Sequence, residues 1–240
     1  MAPNMTPDAD RVTVWTMQVD APSSAVLARW RAVLSSDELS CAERYHSDID
    51  RHAYIAAHAL LRGLLETVGR RPAASWEFRA EETGKPQIIA PAQGTALQFS
   101  LSHARGFVAC GVARGFALGI DAESRDRRPT EKDVVQAILA PAEVALLNDA
   151  PDELRHEKFL CLWTLREAYV KATGTGIRLP REDFWFALEP LGIRFEDGTG
   201  DASQWQFFMW SEARHLLALA VNRDQPVNLV NRMLTQDELR

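Results

Sequence analysis

Three carboxylates and a lysine, carried by two distant segments of the chain, have the residue types and spacing of a site for a divalent cation and phosphate. Asp121 and Glu123 are two residues apart at the end of an apolar run, so on a strand they point to the same side. Glu167 and Lys171 are four apart, so on a helix they lie one turn apart on one face. Mg²⁺ accepts carboxylates together with substrate phosphates as ligands. The sequence therefore predicts a metal and phosphate site, provided that the two segments meet in the fold.

Each pair alone also has an ordinary explanation. Asp121 and Glu123 repel each other unless a cation or basic groups neutralise them, and the arginines that follow them in a polar loop could do so. Glu167 and Lys171 could be a surface pair worth a few tenths of a kcal/mol. The helix that carries this second pair is apolar on most sides, however, which indicates that its charges do not face open solvent.

Two shorter motifs could contact a phosphate group. Ser100-Leu-Ser-His103 offers hydroxyl and imidazole donors directly after a predicted strand. Gly84-Lys-Pro86 places one ammonium group on a rigid turn, although a motif of this length is not specific. The chain has neither a Walker A motif nor the glycine-rich dinucleotide fingerprint, and no cysteine and histidine spacing fits zinc. The phosphate-binding elements must therefore come from other motifs.

The composition indicates a globular protein with a full hydrophobic core. The chain has 240 residues, of which 46% are hydrophobic and 25% charged. A formal net charge of −6 argues against a general nucleic-acid binder. We expect neither a membrane span nor a signal peptide, because no apolar run is long enough and the first residues lack a basic region before an apolar block. The odd number of scattered cysteines, 3, predicts buried free thiols and a cytoplasmic protein.

Strands and two long helices are predicted around these motifs. Alternating and β-branched residues predict a strand over 11–19 and closely spaced strands over 97–101, 107–112 and 116–120. Apolar periodicity predicts a helix over 48–68 that stops at Gly69, and another over 152–172 that stops at Gly174. The polar residues from Asn222 onward are predicted to be frayed.

An internal repeat divides the chain into two parts. Residues 102–112 match residues 211–221 without a gap, with Ser, Ala, Arg, Ala and Val identical at corresponding positions. The alternative is a chance match, because strand patterns are degenerate. Duplication predicts an α+β half over 1–114 and a second α+β half over 115–240 that carries the acidic motifs. It also favours a monomer.

The motifs, taken in their order, resemble those of a known enzyme family. Gly84-Lys-Pro86, Ser100-Leu-Ser-His103, Gly119-Ile-Asp-Ala-Glu123 and Trp163-Thr-Leu-Arg-Glu-Ala-Tyr-Val-Lys171 are similar to the motifs of the 4′-phosphopantetheinyl transferases. The resemblance is to the larger, single-chain, surfactin-synthetase-activating class and covers nearly the whole chain. It implies two similar α+β halves related by a pseudo-twofold axis, with coenzyme A between them.

The resemblance also implies a reaction and its partners. The enzyme would transfer 4′-phosphopantetheine from coenzyme A to a serine of an acyl or peptidyl carrier protein, releasing 3′,5′-ADP, with Mg²⁺ as cofactor. The net charge and the lack of a long apolar run indicate, independently of the resemblance, that neither nucleic acid nor membrane is a partner. Two alternatives stay open: a metal-dependent phosphohydrolase acting on a nucleotide or coenzyme A, and a non-catalytic protein that binds coenzyme A and docks carriers.

The same resemblance assigns roles to particular residues. Asp121 and Glu167 would bind Mg²⁺, with Glu123 as a third ligand, directly or through water. Glu167 would accept the proton of the attacking serine, directly or through water, and Lys171 would contact the phosphates and the reacting centre. The residues implied to bind coenzyme A are Arg79, Gly84, Lys85, Ser102, His103, Asp121 and Lys171.

The chain departs from the family pattern at two places. Arg166 stands where the long motif usually has a lysine, which keeps the charge. Many relatives carry extra basic residues before the aromatic that corresponds to Tyr45, where this chain has Cys41, Ala42 and Glu43. Part of the group of residues that binds the 3′-phosphate of coenzyme A is therefore expected to be weaker here, or to be supplied by other residues. The candidates are Arg44, Arg51 and Arg62.

Overall fold

The computed structural model describes residues 9–80, 85–94, 96–176 and 181–239 and has an α+β fold, as predicted. The α-helices in these residues are α1 (Ser24–Arg31), α2 (Ser36–Ala42), α3 (Asp48–Gly69), α4 (Lys132–Ile138), α5 (Pro141–Asn148) and α6 (Asp152–Thr173). The strands are β1 (Arg11–Gln18), β2 (Glu77–Ala80), β3 (Pro86–Ala90), β4 (Leu97–Ala104), β5 (Phe107–Arg114), β6 (Leu118–Ser124), β7 (Phe184–Leu188), β8 (Leu191–Phe195), β9 (Trp205–Glu212), β10 (His215–Asn222) and β11 (Asn228–Leu234).

The two main sheets have the same strand order. The first sheet has the order β11-β1-β5-β4 and the second has the order β6-β10-β9. Across the sheets, β1, β5 and β4 therefore correspond to β6, β10 and β9, and β11 is an additional edge strand of the first sheet. In both series a 22-residue helix, α3 or α6, and then a two-stranded hairpin precede the last two strands. The sequence repeat covers corresponding places, namely the end of β4 with β5 and the end of β9 with β10. This correspondence supports duplication, and the division of the chain at residues 114 and 115 stays a prediction.

The sheets pack face to face between the long helices. On β10, Leu217 and Leu219 belong to the apolar cluster between the two sheets, whereas Ala218 and Ala220 belong to the cluster under α6. Burial on both faces explains why β5 and β10 are nearly continuous apolar runs rather than alternating ones. The result is a layer order of α3, first sheet, second sheet and α6.

The end of the chain forms an edge strand, so the prediction that residues from Asn222 onward are frayed is wrong. β11 runs parallel to β1, with Asn228 opposite Arg11 and Leu234 opposite Met17. Leu234 and Leu239 are buried against the first sheet and α3. Most β11 side chains face solvent, as an edge strand allows, and this polar composition hid the strand in the sequence. The first sheet therefore includes β11, which follows all the strands of the second sheet in the sequence.

The two long helices end differently. Gly174, directly after α6, adopts the left-handed conformation with φ 72°, as predicted for a glycine stop. At the end of α3, Arg70 adopts that conformation with φ 53°, and Gly69 is still helical. A Cβ atom at Gly69 would lie 2.4 Å from the Trp76 ring. Gly69 is therefore required for the packing of Trp76 rather than for the backbone turn.

Two other expectations can be compared with the described residues. The three cysteines are free, as predicted, but only Cys110 is buried, while Cys41 and Cys161 are half-buried. None of the helices in the described ranges has the length and apolar composition that a membrane span requires.

Serine side chains join the first sheet to the strand that carries the acids. The Ser100 hydroxyl accepts a hydrogen bond from the Ile120 amide at 3.0 Å, and the Ser102 hydroxyl accepts one from the Ala122 amide at 3.1 Å. Because a buried N–H needs an acceptor, these hydroxyls on β4 satisfy the amides of β6 where no backbone ladder joins the two strands. They fix β6, and with it Asp121, relative to the first sheet.

Ser100→Ala tests this connection. We expect it to lower the free energy of unfolding by about 1–3 kcal/mol, because the buried Ile120 amide would lose its acceptor. Urea unfolding followed by circular dichroism measures the change. Ser40→Ala is the control, since the Ser40 hydroxyl is exposed and bonds only the Ser36 carbonyl of its own helix. Equal stability of the two variants would contradict the role given to Ser100.

Candidate active site

The acidic strand and the long helix meet at a glycine. A Cβ atom at Gly119 would lie 2.0 Å from the Ala168 carbonyl oxygen, so only glycine lets the α6 backbone lie this close to β6. The sequence predicted a strand that ends at residue 120, but β6 continues to Ser124. Asp121 and Glu123 therefore lie within the strand and not after its end. They point to the same side of β6, toward α6, as the alternation predicts, because Asp121 contacts Lys171 and Glu123 contacts Trp163 of that helix.

Asp121 is the centre of the site. It is 5% exposed, and its Oδ1 accepts hydrogen bonds from Lys171 Nζ at 2.7 Å and from Ser102 Oγ at 2.9 Å. Its Oδ2 is buried and has no hydrogen-bond partner among the described residues. The two distant segments therefore meet, and the carboxylate at their junction has one buried oxygen that no described group hydrogen-bonds.

Glu123 is held by a tryptophan and an arginine that the sequence analysis did not assign to the site. Its Oε1 accepts hydrogen bonds from Trp163 Nε1 at 2.5 Å and Arg127 Nη1 at 2.7 Å. Burial and the Asp121 charge raise the pKa of Glu123, against the opposing effects of Arg127, Trp163 and Lys171. Trp163 belongs to the same motif as Glu167, so its position in that motif was the available signal.

Glu167 lies half-buried on α6 beside the other two acids. Burial raises the pKa of Glu167, and the charges of Asp121 and Glu123 raise it further, while Lys171 and Arg127 lower it. No hydrogen bond to its carboxylate from another described residue is present. Glu167 therefore combines a raised pKa with oxygens that no other described residue hydrogen-bonds, which suits a proton acceptor or a metal ligand.

The acids fit a hard divalent cation by their chemistry, although their oxygens are not gathered around one point. Within the described ranges, no three His, Cys, Asp or Glu side chains are close enough together to hold a metal ion. Lys171 donates a hydrogen bond to Asp121 Oδ1, and Glu123 accepts one from Trp163. The buried, unpartnered Asp121 Oδ2 and the mutual repulsion of the acids are both features that a cation would relieve. The donor set is therefore compatible with Mg²⁺.

Two cavities adjoin at Lys171. The first, which we call the Asp121 cavity, has a volume of about 340 Å³. The second, the Lys85 cavity, has a volume of about 310 Å³. Lys171 and Leu101 line both. Besides Asp121 and Lys171, the side chains with polar groups around the Asp121 cavity are Tyr45, Tyr54, His58, Ser102, His103 and Glu123. An elongated ligand could therefore pass along Lys171 from one cavity to the other.

The residues implied to bind coenzyme A are only partly brought together. Ser102 and His103 line the Asp121 cavity, and Lys85 lines the Lys85 cavity with Glu167, where its Nζ donates to the Ala172 carbonyl at 2.8 Å. Arg79 is exposed on β2 and lines neither cavity. Gly84 lies outside the described residues.

The ring of His103 has an altered basicity. Partial burial of the ring, which disfavours its charged form, is the main cause that lowers the pKa of His103, and the charge of Lys171 lowers it further. The residue as a whole is nevertheless exposed at the end of β4. A phosphate bound beside Lys171 would oppose that effect, because it would partly neutralise the ammonium charge.

The candidate arginines for the 3′-phosphate are engaged elsewhere or exposed. Arg62 is 2% exposed and forms a buried ion pair with Glu38 at 2.8 Å. Arg51 pairs with Asp48 and donates to the Tyr45 carbonyl. Arg62 and Arg51 line neither cavity, and Arg44 is exposed.

Arg166, the replacement for the usual lysine, is buried away from the cavities. It forms an ion pair with the buried Glu143 at 2.7 Å and donates to the Phe184 carbonyl at 2.9 Å. These contacts hold α6 against α5 and β7, and they therefore set the rotation of α6 about its axis, on which the direction of Glu167 depends.

Comparisons with known proteins identify the family of this chain. Residues 117–221, which include β6 and α6, match the profile of the 4′-phosphopantetheinyl transferase superfamily. The chain is 36% identical to the 4′-phosphopantetheinyl transferase HetI of a Nostoc species over 78% of each chain. It is 27% identical to a putative 4′-phosphopantetheinyl transferase of Synechocystis over 80% of this chain and 77% of the relative. It is 23% identical to the 4′-phosphopantetheinyl transferase Sfp of Bacillus subtilis over 75% of this chain and 78% of the relative. The chain belongs to the 4′-phosphopantetheinyl transferase superfamily and is an enzyme of its larger, single-chain class.

Proposed function

We propose that the cleft around Lys171 transfers 4′-phosphopantetheine from coenzyme A to a serine of a carrier protein, with Asp121, Glu123, Glu167 and Lys171 as the reacting-centre residues. The observation that carries this assignment is the contact of Lys171 with Asp121, beside Ser102 and His103 in one cavity. Coenzyme A is the co-substrate of the family, and carrier proteins are its acceptors.

Coenzyme A would occupy the two adjoining cavities. Lys171 is common to both and would contact the pyrophosphate at the reacting centre. Ser102 and His103 on one side and Lys85 on the other would contact the remaining phosphate and nucleotide groups. Arg79 and Gly84 stay predicted contacts, since neither is among the residues described around the cavities.

The reaction needs a stronger nucleophile and a stabilised leaving group. Glu167 would accept the proton of the carrier serine, directly or through water, and its raised pKa favours that role. The serine oxygen forms a bond to the phosphorus that carries pantetheine, and the bond from that phosphorus to the bridging oxygen breaks. The leaving group is 3′,5′-ADP. Lys171 supplies a fixed positive charge where negative charge increases in the transition state.

Mg²⁺ would be held by Asp121 and Glu167, with Glu123 as a third ligand, directly or through water. When bound, the ion would neutralise phosphate charge and act as a Lewis acid toward the pyrophosphate. The buried, unpartnered Asp121 Oδ2 supports this ligand set.

Mass spectrometry of apo-carrier proteins tests the function. We expect carriers incubated with this protein, coenzyme A and Mg²⁺ to gain the mass of one phosphopantetheine group, and acyl and peptidyl carriers compared in parallel would rank the partners. Omission of Mg²⁺ with added EDTA is expected to stop the reaction. No mass gain with any carrier, in the presence of a transferase that labels the same carriers, would contradict the proposal.

The same assay separates the alternatives. A phosphohydrolase would release phosphopantetheine from coenzyme A without any carrier, whereas a transferase requires one. A non-catalytic scaffold would bind coenzyme A without turnover. A cytoplasmic location and a monomeric state stay predictions, and size-exclusion chromatography with light scattering would measure the latter.

A further inference from the structure

A buried carboxylate orients a histidine at the wall of the Asp121 cavity. Glu38 of α2 is 8% exposed, and its Oε1 lies 2.9 Å from Nδ1 of His58 on α3. Because an ionised carboxylate can only accept hydrogen bonds, Nδ1 must carry the proton in this contact. The other ring nitrogen, Nε2, makes no hydrogen bond with a described residue. The contact therefore fixes the ring and leaves Nε2 available for a ligand.

The carboxylate itself is fixed by contacts that keep it ionised. Glu38 accepts hydrogen bonds from the Ser35 amide at 2.7 Å and from Arg62 Nε at 3.0 Å. Arg62 also donates to the Trp76 carbonyl at 2.9 Å, so it is held in place in turn. Burial alone would raise the pKa of Glu38, but the hydrogen bonds from His58, Ser35 and Arg62 outweigh it and lower that pKa to about 2.

The ring of His58 lies among the groups of the active site. His58 lines the Asp121 cavity together with His103 and Lys171. Tyr54 packs against the ring, with centroids 4.2 Å apart, and Tyr45 packs against Tyr54 at 5.4 Å. An imidazole held between a carboxylate and an aromatic ring has little rotational freedom to lose when it binds a ligand.

Among the described residues, none of the three candidate arginines lines the Asp121 cavity. Lys171 is paired with Asp121, and Arg62 and Arg51 do not line the cavity. The segment before Tyr45 lacks the extra basic residues of many relatives. His58 is a further basic side chain on the wall of this cavity, and its contact with Glu38 holds it there.

We propose that His58, oriented by Glu38, is a phosphate-binding residue for coenzyme A, which contacts a phosphate oxygen through Nε2. This inference rests on the proposed function, since it takes coenzyme A to be the ligand of the cavity. Coenzyme A offers a 3′-phosphate monoester and a pyrophosphate, both with the oxygen chemistry that an imidazolium binds. Glu38 acts through His58 and is a positioning residue.

Isothermal titration of coenzyme A and of 3′-dephospho-coenzyme A into wild type and His58→Leu tests the proposal. We expect the Kd of the variant for coenzyme A to be roughly tenfold higher or more, the usual loss for a hydrogen bond to a charged group. If Nε2 contacts the 3′-phosphate, the Kd for dephospho-coenzyme A does not change. If Nε2 contacts the pyrophosphate, both Kd values rise by the same factor.

Two further variants separate binding from folding. Glu38→Gln keeps the shape of the side chain and should change the Kd values for the two ligands in the same pattern as His58→Leu, by a smaller factor. A merely structural defect would weaken both ligands in the Glu38 variant even if His58→Leu discriminates between them. His52→Ala is the matched control, because His52 lies on the same helix but does not line the Asp121 cavity.

The outcomes distinguish the two proposals. If wild type binds coenzyme A and folded His58→Leu binds both ligands as tightly as wild type, the role of His58 is overturned and the proposed function stands. If wild type binds neither ligand, the proposed function is overturned and this inference with it. Circular dichroism of every variant establishes folding, and Glu38→Gln supplies the test if His58→Leu does not fold.

Discussion

Asp121→Asn is expected to reduce transfer of phosphopantetheine to a carrier protein by at least about 100-fold, while the protein stays folded. Loss of a residue that only supports a metal ligand costs about 10- to 100-fold, and Asp121 is a proposed ligand itself. The substitution also removes the charge that holds Lys171 at 2.7 Å, so two groups of the reacting centre change together. Carrier labelling followed by mass spectrometry over time measures the rate.

A second measurement connects this loss to the metal. Mg²⁺ is expected to raise the Tm of wild type, because a ligand that binds only the folded state stabilises it, and to raise the Tm of Asp121→Asn less. Asp126→Asn is the control, since that exposed carboxylate pairs with Arg214 on the surface. Labelling by Asp121→Asn at the wild-type rate would show that the role of Asp121 is wrong.

The sequence predicted the central site because its signals are local. Residue alternation in β6 gives the common direction of Asp121 and Glu123, and helical spacing gives that of Glu167 and Lys171. Whether the two segments meet depends on tertiary packing, for which Gly119 is the structural reason. A glycine in a strand can have several explanations. The structure identifies the one that applies to Gly119, because a Cβ atom there would lie 2.0 Å from the backbone of α6.

The features that the sequence did not reveal depend on long-range contacts between ordinary residues. β11 is a polar edge strand, and its partner β1 lies at the other end of the chain. Trp163 and Arg127 contact Glu123 through side chains whose positions no periodicity specifies. Likewise, His58 reaches the Asp121 cavity from α3, and Arg62, a candidate for phosphate binding, is paired with Glu38 instead.

Glu167→Gln is expected to have opposite effects on catalysis and stability. Loss of a positioned proton acceptor costs about 10²- to 10⁴-fold, so carrier labelling should be nearly abolished. The substituted amide would keep the shape of the side chain and remove a charge that Asp121 and Glu123 repel. In buffer with EDTA at neutral pH, the variant should therefore have a higher Tm than wild type, as thermal unfolding by circular dichroism would measure.

The pH dependence gives the sign of the stability effect. Burial and the neighbouring acids raise the pKa of Glu167 above the ordinary value of 4.5, so wild type loses stability as the pH rises through the raised pKa. The variant lacks this group, so its advantage should be present at neutral pH and disappear below about 4.5. Added Mg²⁺ should reduce the advantage, because the cation stabilises the ionised acids of wild type. Glu153→Gln, at an exposed position of α6, is the control. A lower Tm for Glu167→Gln than for wild type in EDTA at neutral pH would mean that Lys171 and Arg127 outweigh the repulsion from the two acids, and that no cation is needed to neutralise them.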